Sequence, residues 1–153
     1  MRILLIADSH GRDMGVKLNN VGRGNTILPI YVGRKLSVVD ALYTSKIAQI
    51  RNFHPEVVIV HCGHNDVMAH PVYNTHPQHI KYFVPVLVRF CDKFREDHPV
   101  AQIYLSSIFP RSVGYHFSED SRQKYNKLAF RYGELLRSAA NRNGYQHLLN
   151  AVL

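Results

Sequence analysis

At 153 residues the chain is long enough for one domain with a buried core and short for two. Its 46% hydrophobic and 20% charged residues exclude a mainly disordered chain, and its apolar runs fall far short of the ~20 residues a membrane-spanning helix needs. Nineteen Lys and Arg against eleven Asp and Glu leave a formal charge of +8, which attracts anionic partners without naming one. The opening apolar run is too short for a signal peptide and lacks a small-residue cleavage site, so the expectation is an intracellular protein, cytoplasmic or nuclear. Cys62 and Cys91 make neither a disulfide framework nor a zinc cluster and read as reduced, buried thiols.

In chain order, Arg2 to Ala7 is a continuous apolar run, the mark of a strand buried on both faces. Thr26 to Val32 is a second β-rich run. Ser37 then caps a helical pattern with Val38, Val39, Leu42, Ile47 and Ile50 on one face. Glu56 to Cys62 is the clearest strand, entered through Pro55 and ended by Gly63. Ile80 to Asp97 predicts a helix in which Pro85 must occupy the first turn or make a kink. Ala101 to Ser106 is a fourth strand. Ser118 to Asn141 is the strongest helix, with Tyr125, Leu128, Ala129, Tyr132, Leu135, Leu136 and Ala139 in one stripe and Gly144 as a stop. Tyr145 to Asn150 is a weaker fifth strand. No repeat or linker interrupts this order, so residues 1–153 read as one domain.

Strands alternating with helices predict a three-layer α/β/α sandwich around a five-stranded parallel sheet, flavodoxin-like, with the first strand central. Ligand sites in such folds lie beyond the carboxyl ends of the strands. Two strand ends there carry chemistry: Ala7-Asp8-Ser9-His10-Gly11 and Gly63-His64-Asn65-Asp66. A serine directly after a buried strand can present its hydroxyl where backbone amides hold an oxyanion, and an asparagine on a neighbouring strand end adds a neutral donor. Either motif by itself also fits a helix cap.

In this order the motifs resemble the SGNH (GDSL-like) hydrolases. Their Gly-Asp-Ser block corresponds to Ala7-Asp8-Ser9, with alanine for glycine, and their Gly-x-Asn-Asp block is met in full by Gly63-His64-Asn65-Asp66. Gly33 stands where their lone glycine follows the second strand, and Ile103 to Arg111 is similar to their fourth strand and its loop. The resemblance implies a serine esterase or lipase-like hydrolase of carboxylic esters, working through an acyl-Ser9 intermediate without a cofactor. The amides of Ser9 and Gly33 and the Asn65 side chain would form the oxyanion hole, supported by Asp8 and Asp66. The family's last block, Asp-x-x-His, supplies its general base. No Asp or Glu follows Glu134, and His147 is the only histidine near that place. Three readings stay open: the gene is shortened, another histidine serves, or the domain no longer turns over. His64 and His147 are the base candidates. His147 should point into a helix layer, and His10 should diverge from its neighbour on a tight turn. The expectation is that no histidine pairs with Ser9 and that ester turnover is very weak.

Two other patterns compete. Asp8 and His10 are similar to the opening Asp-x-His of calcineurin-like metallophosphoesterases, whose later motifs are missing here. His61, His64, His70, His76 and His79 crowd one stretch, as zinc ligands or as polar lining; no metal is assigned. On the last helix Lys124, Lys127, Arg131 and Arg142 form a basic edge. It is a solvated face, or a non-catalytic binding surface for nucleic acid or another anionic ligand.

Overall fold

The computed structural model describes residues 1–8, 15–17, 24–31, 39–69, 82–110 and 118–148. Five parallel strands, β1 (Arg2–Ala7), β2 (Thr26–Tyr31), β3 (Val57–His61), β4 (Gln102–Ser106) and β5 (Gln146–Leu148), form one sheet in the order β2-β1-β3-β4-β5. Among the described residues, besides helical backbone at 15–17, the helices are α1 (Val39–Phe53), α2 (His64–Ala69), α3 (Phe83–Asp97) and α4 (Glu119–Asn143). β1 is interior, as its apolar run requires, and β3 holds the middle place. Ile3 to Ala7 are all buried.

Each buried strand divides its side chains between two cores. Leu4, Ile6, Val58, Val60, Ile103 and Leu105 meet Tyr43 and Ile50 of α1, Leu87, Phe90 and Phe94 of α3, and Tyr125, Tyr132 and Leu136 of α4. Ile3, Leu5, Ala7 and Ile59 form the core on the opposite face, with Tyr31 and Tyr104 packed against it. Helical backbone at 15–17 lies on that second face, where a Cβ at Gly15 would come within 2.8 Å of the Tyr31 hydroxyl and 3.4 Å of Leu5. Burying each large aliphatic side chain contributes about 1.5–3 kcal/mol, so these interior strands carry much of the fold.

Local chemistry sets the ends. The Ser118 side chain accepts the Ser121 N–H, Glu119 and Asp120 lie in the first turn of α4, and Arg142 lies in its last. Gly144 closes the helix in the left-handed conformation (φ 72°), with the Tyr145 N–H bonded to the Ala140 carbonyl. The buried stripe of α4 is Tyr125, Ala129, Tyr132, Gly133, Leu136, Ala139 and Ala140, while Leu128 and Leu135 flank it half-buried. Pro85 is the third residue of α3, inside the first turn, where its missing N–H costs nothing. Ser37, Val38, Val32, Ile80 and Asn150, which the sequence places at element ends, lie outside the described residues.

Pro29 lies within β2, and the topology explains why it is tolerated. The Thr26 N–H donates to the Met1 carbonyl, so residues 26, 28 and 30 address β1 and the Pro29 nitrogen faces the open side of this edge strand.

The connectivity also locates the site. From β1 the chain passes to β2 on one side and returns to β3 on the other. The two neighbours of β1 thus diverge at its carboxyl end, which is the switch point where open α/β sheets bind ligands.

Candidate active site

At that switch point the two strand-end motifs are hydrogen-bonded to each other. The Asp8 N–H donates to the His61 carbonyl at 3.2 Å, and the Asp8 carboxylate accepts the His64 backbone N–H at 3.0 Å. Asp8 is only 1% exposed, so this charge-assisted bond locks the end of β1 to the start of α2 in a sheltered place. Asp66, also buried, lies in the first turn of α2, where a carboxylate suits the helix dipole.

Gly63 makes the connection between β3 and α2 possible. Its φ of +124° is a glycine conformation, and a Cβ there would sit 2.6 Å from the Tyr132 ring and hydroxyl. Tyr132 is fully buried and its hydroxyl donates to the Cys62 carbonyl at 2.7 Å. Burial above all, with the Asp66 and Asp8 charges adding to it, pushes the Tyr132 phenol well above its ordinary range, so it stays a donor. Burial first, then Asp8 and Asp66, does the same to the Cys62 thiol. Cys91 is likewise pushed up to about 12, chiefly by burial. Both thiols are free and unreactive as nucleophiles in this state.

The histidines separate by direction. His64 Nδ1 lies 2.6 Å from the Tyr125 hydroxyl of α4. His147 Nε2 lies 2.9 Å from the Ser107 hydroxyl, on the side where Ser107 meets Gly133 of α4. Strand alternation thus turns His147 into the helix layer; burial, then Arg137, lowers its pKa below the usual imidazole value. His61 goes the other way, with Nδ1 3.0 Å from the Ser106 hydroxyl and its ring against Phe109 at 4.7 Å between centroids. His61 and His64 therefore do not converge on one point as zinc ligands would. Among the described residues no group of three or more His, Cys, Asp or Glu side chains could hold a metal ion.

Ser9, Gly33 and His10 lie outside the described residues, as do His70, His76 and His79. Asn65 is in α2, with its side chain outside what is described. Asp8, His64 and Asp66 come together at one edge, whereas His147 belongs to the β4–β5–α4 contact. Sequence reasoning counted His61 among possible zinc ligands or polar lining and did not bring Ser106 to it. The available signal was a histidine closing an otherwise apolar strand.

On α4 the basic edge is partly paired within the helix, Lys124 with Asp120 at 2.8 Å and Arg131 with Glu134 at 3.5 Å. Such exposed pairs contribute little to stability but cancel local charge. Lys127 lines a shallow hollow with Gln123, Asn126 and the exposed Phe130. Among the described residues no helix is long and apolar enough to cross a membrane.

No family model and no curated protein sequence matches the chain. Solved structures do. An extracellular lipase from Streptomyces rimosus aligns with a TM-score of 0.70 at 14% identity, covering 97% of this chain and 80% of that one. An acetyl xylan esterase aligns at 0.61 and 17%, covering 97% and 77%. A GDSL-like lipase from Bacteroides thetaiotaomicron aligns at 0.57 and 13%, covering 97% and 67%. Identities this low speak to architecture, and at that level the parallel sheet, its strand order and these neighbours agree: the chain has the fold of the SGNH (GDSL-like) hydrolases.

Proposed function

We propose that the protein hydrolyses carboxylic esters through an acyl-Ser9 intermediate. The observation that carries this reading is the bond between the Asp8 carboxylate and the His64 amide. It ties the segment that continues into Ser9 to the segment that continues into Asn65, at the switch point of the sheet. In the reaction Ser9 Oγ adds to the ester carbonyl. The oxyanion is held by the Ser9 and Gly33 amides and the Asn65 side chain, the alcohol leaves, and water releases the acid. Asp8 holds the loop, and Asp66 holds the first turn of α2. The folds of known esterases and lipases among the structural neighbours support the same class of reaction.

Turnover of p-nitrophenyl acetate by wild type beside Ser9→Ala tests the reading. A rate that disappears in Ser9→Ala, and falls on the order of a hundredfold in Asn65→Ala, is the expected result. A rate indifferent to Ser9→Ala would overturn it.

A second reading is a binding module that uses the outer face of α4 for an anionic ligand or nucleic acid. It draws on Phe130, 70% exposed beside Lys127, an aromatic surface next to a cation. The ion pairs of Lys124 and Arg131 weaken it.

A further inference from the structure

Away from the candidate site, at the amino end of the sheet, α1 and α3 are joined through one carboxylate. The Tyr43 hydroxyl of α1 donates to Asp97 Oδ2, and Arg51 Nη2 donates to Asp97 Oδ1 at 3.1 Å. Asp97 is the last residue of α3, and His98 caps the helix. The His98 N–H is bonded to the Phe94 carbonyl at 2.9 Å, and the His98 carbonyl accepts the Ala101 N–H at 3.1 Å. The His98 ring stacks on Phe94, 4.5 Å between centroids and 29° between planes. Phe94 is fully buried and packs in turn on Tyr43. The imidazole is thus the outer member of a row of rings that leads into the α1–α3 core.

His98 Nε2 is sheltered from solvent and has no hydrogen-bond partner among the described residues. A neutral ring tolerates that place, because Nδ1 can carry the proton and leave Nε2 only a lone pair. A protonated ring does not. Both nitrogens then carry N–H, and Nε2 becomes a charged donor with nothing to receive it. Among the described residues, the groups whose charge acts on the ring are Asp97 of α3 itself, Arg51 of α1 and His54 just beyond α1. Asp97 attracts an imidazolium, but both of its oxygens already accept from α1. Arg51 and His54 oppose it. Burial first, and these charges after it, leave His98 below the usual imidazole value.

We propose that His98 is an acid-operated latch on the seam between α1 and α3: the neutral ring closes it, and the protonated ring leaves Phe94 for solvent and loosens the end of α3 from α1. His98 is half-buried, so its ring reaches water by a side-chain turn, a local opening that leaves the rest of the domain folded. Because the folded ring binds its proton less readily than a solvated one, the closed seam is held fully above the ordinary imidazole value of 6.5. It is lost as pH falls from there through the lowered value. The Asp97 carboxyl, held low chiefly by the Tyr43 hydroxyl, stays ionised through that window, so the change belongs to the imidazole.

The test follows the full chain from about pH 8 to about pH 5 by NMR titration of the ring protons and by amide hydrogen exchange. Wild type is compared with His98→Phe, which keeps a ring on Phe94, and His98→Gln, which keeps a polar group; neither takes up a proton. In wild type the His98 ring should titrate below the ordinary value. Protection of the His98 and Ala101 amides, corrected for intrinsic exchange, should fall about fivefold or more with the same midpoint, while amides of β1 and β3 keep theirs. In both variants the pH dependence at the seam should vanish. A ring that titrates at or above the ordinary value overturns the proposal. So does seam protection that stays level while the ring titrates, or that falls equally in a folded variant. Should neither variant fold, agreement or disagreement of the two wild-type midpoints decides.

Discussion

At the amino edge of the sheet, Arg2, Thr26, Glu56, Gln102 and Gln146 stand in solvent, and Arg2 and Glu56 form an ion pair with half of each side chain exposed. At the carboxyl edge, Asp8, His61, His64, Asp66, Ser106 and Ser107 are buried. Tyrosines and cysteines aside, these six are the buried polar side chains among the described residues. The strands are the same at both ends and only the setting of their polar groups differs. A buried polar group is costly unless bonded, so folding alone favours the arrangement of the amino edge. The carboxyl edge spends stability on pre-oriented carboxylate, imidazole and hydroxyl groups, and such spending is characteristic of sites that perform chemistry.

Substitutions at the two edges should therefore differ in scale. The largest expected effect is at Gly63. Gly63→Ala combines a positive φ with overlap on the buried Tyr132 ring, and should lower stability by about 3 kcal/mol, read as a fall in the urea midpoint. A midpoint within experimental scatter of wild type would mean that β3 and α2 are not packed on α4 as described. Next comes Asp8. Removing its carboxylate strands the His64 amide, so Asp8→Ala should cost about 2 kcal/mol, and Asp8→Asn, which keeps an acceptor, about 1. Equal losses in the two variants would show that the bond to His64 is not what Asp8 supplies. The smallest effect is expected at the amino edge. Glu56→Gln keeps an acceptor for the Arg2 N–H, loses only an exposed ion pair, and should leave the urea midpoint unchanged. A clear fall there would erase the contrast between the edges.

Much of this architecture is legible in the sequence because its causes are local. Ile3 to Ala7 and Val57 to Val60 are continuous apolar runs since both faces of these strands are covered, and Ser118 and Gly144 mark the ends of α4 through chemistry confined to a few residues. α2 is not legible. His64–Ala69 is too short to display a period, and it forms where Gly63 turns and Asp8, 56 residues away, takes the first amide. The histidines show the same limit. Strand alternation predicts that His147 enters the helix layer, and it does. Nothing near His61 in the sequence reveals Ser106, which is 45 residues away and meets it only across the β3–β4 pair. Pairings that depend on which strands become neighbours are set by tertiary topology, and a motif search along the chain does not see them.

Pro29 has a consequence for self-association. The open side of an edge strand is a row of amide donors and carbonyl acceptors that another chain can extend into a continuous intermolecular sheet. With residues 26, 28 and 30 turned toward β1, the outward row is formed by 27, 29 and 31, and its middle donor is missing because position 29 is an imino acid. A strand approaching β2 from solvent would find its central amide bond unavailable and a pyrrolidine ring in the way. This proline therefore works against fibre-like growth from the β2 side of the sheet.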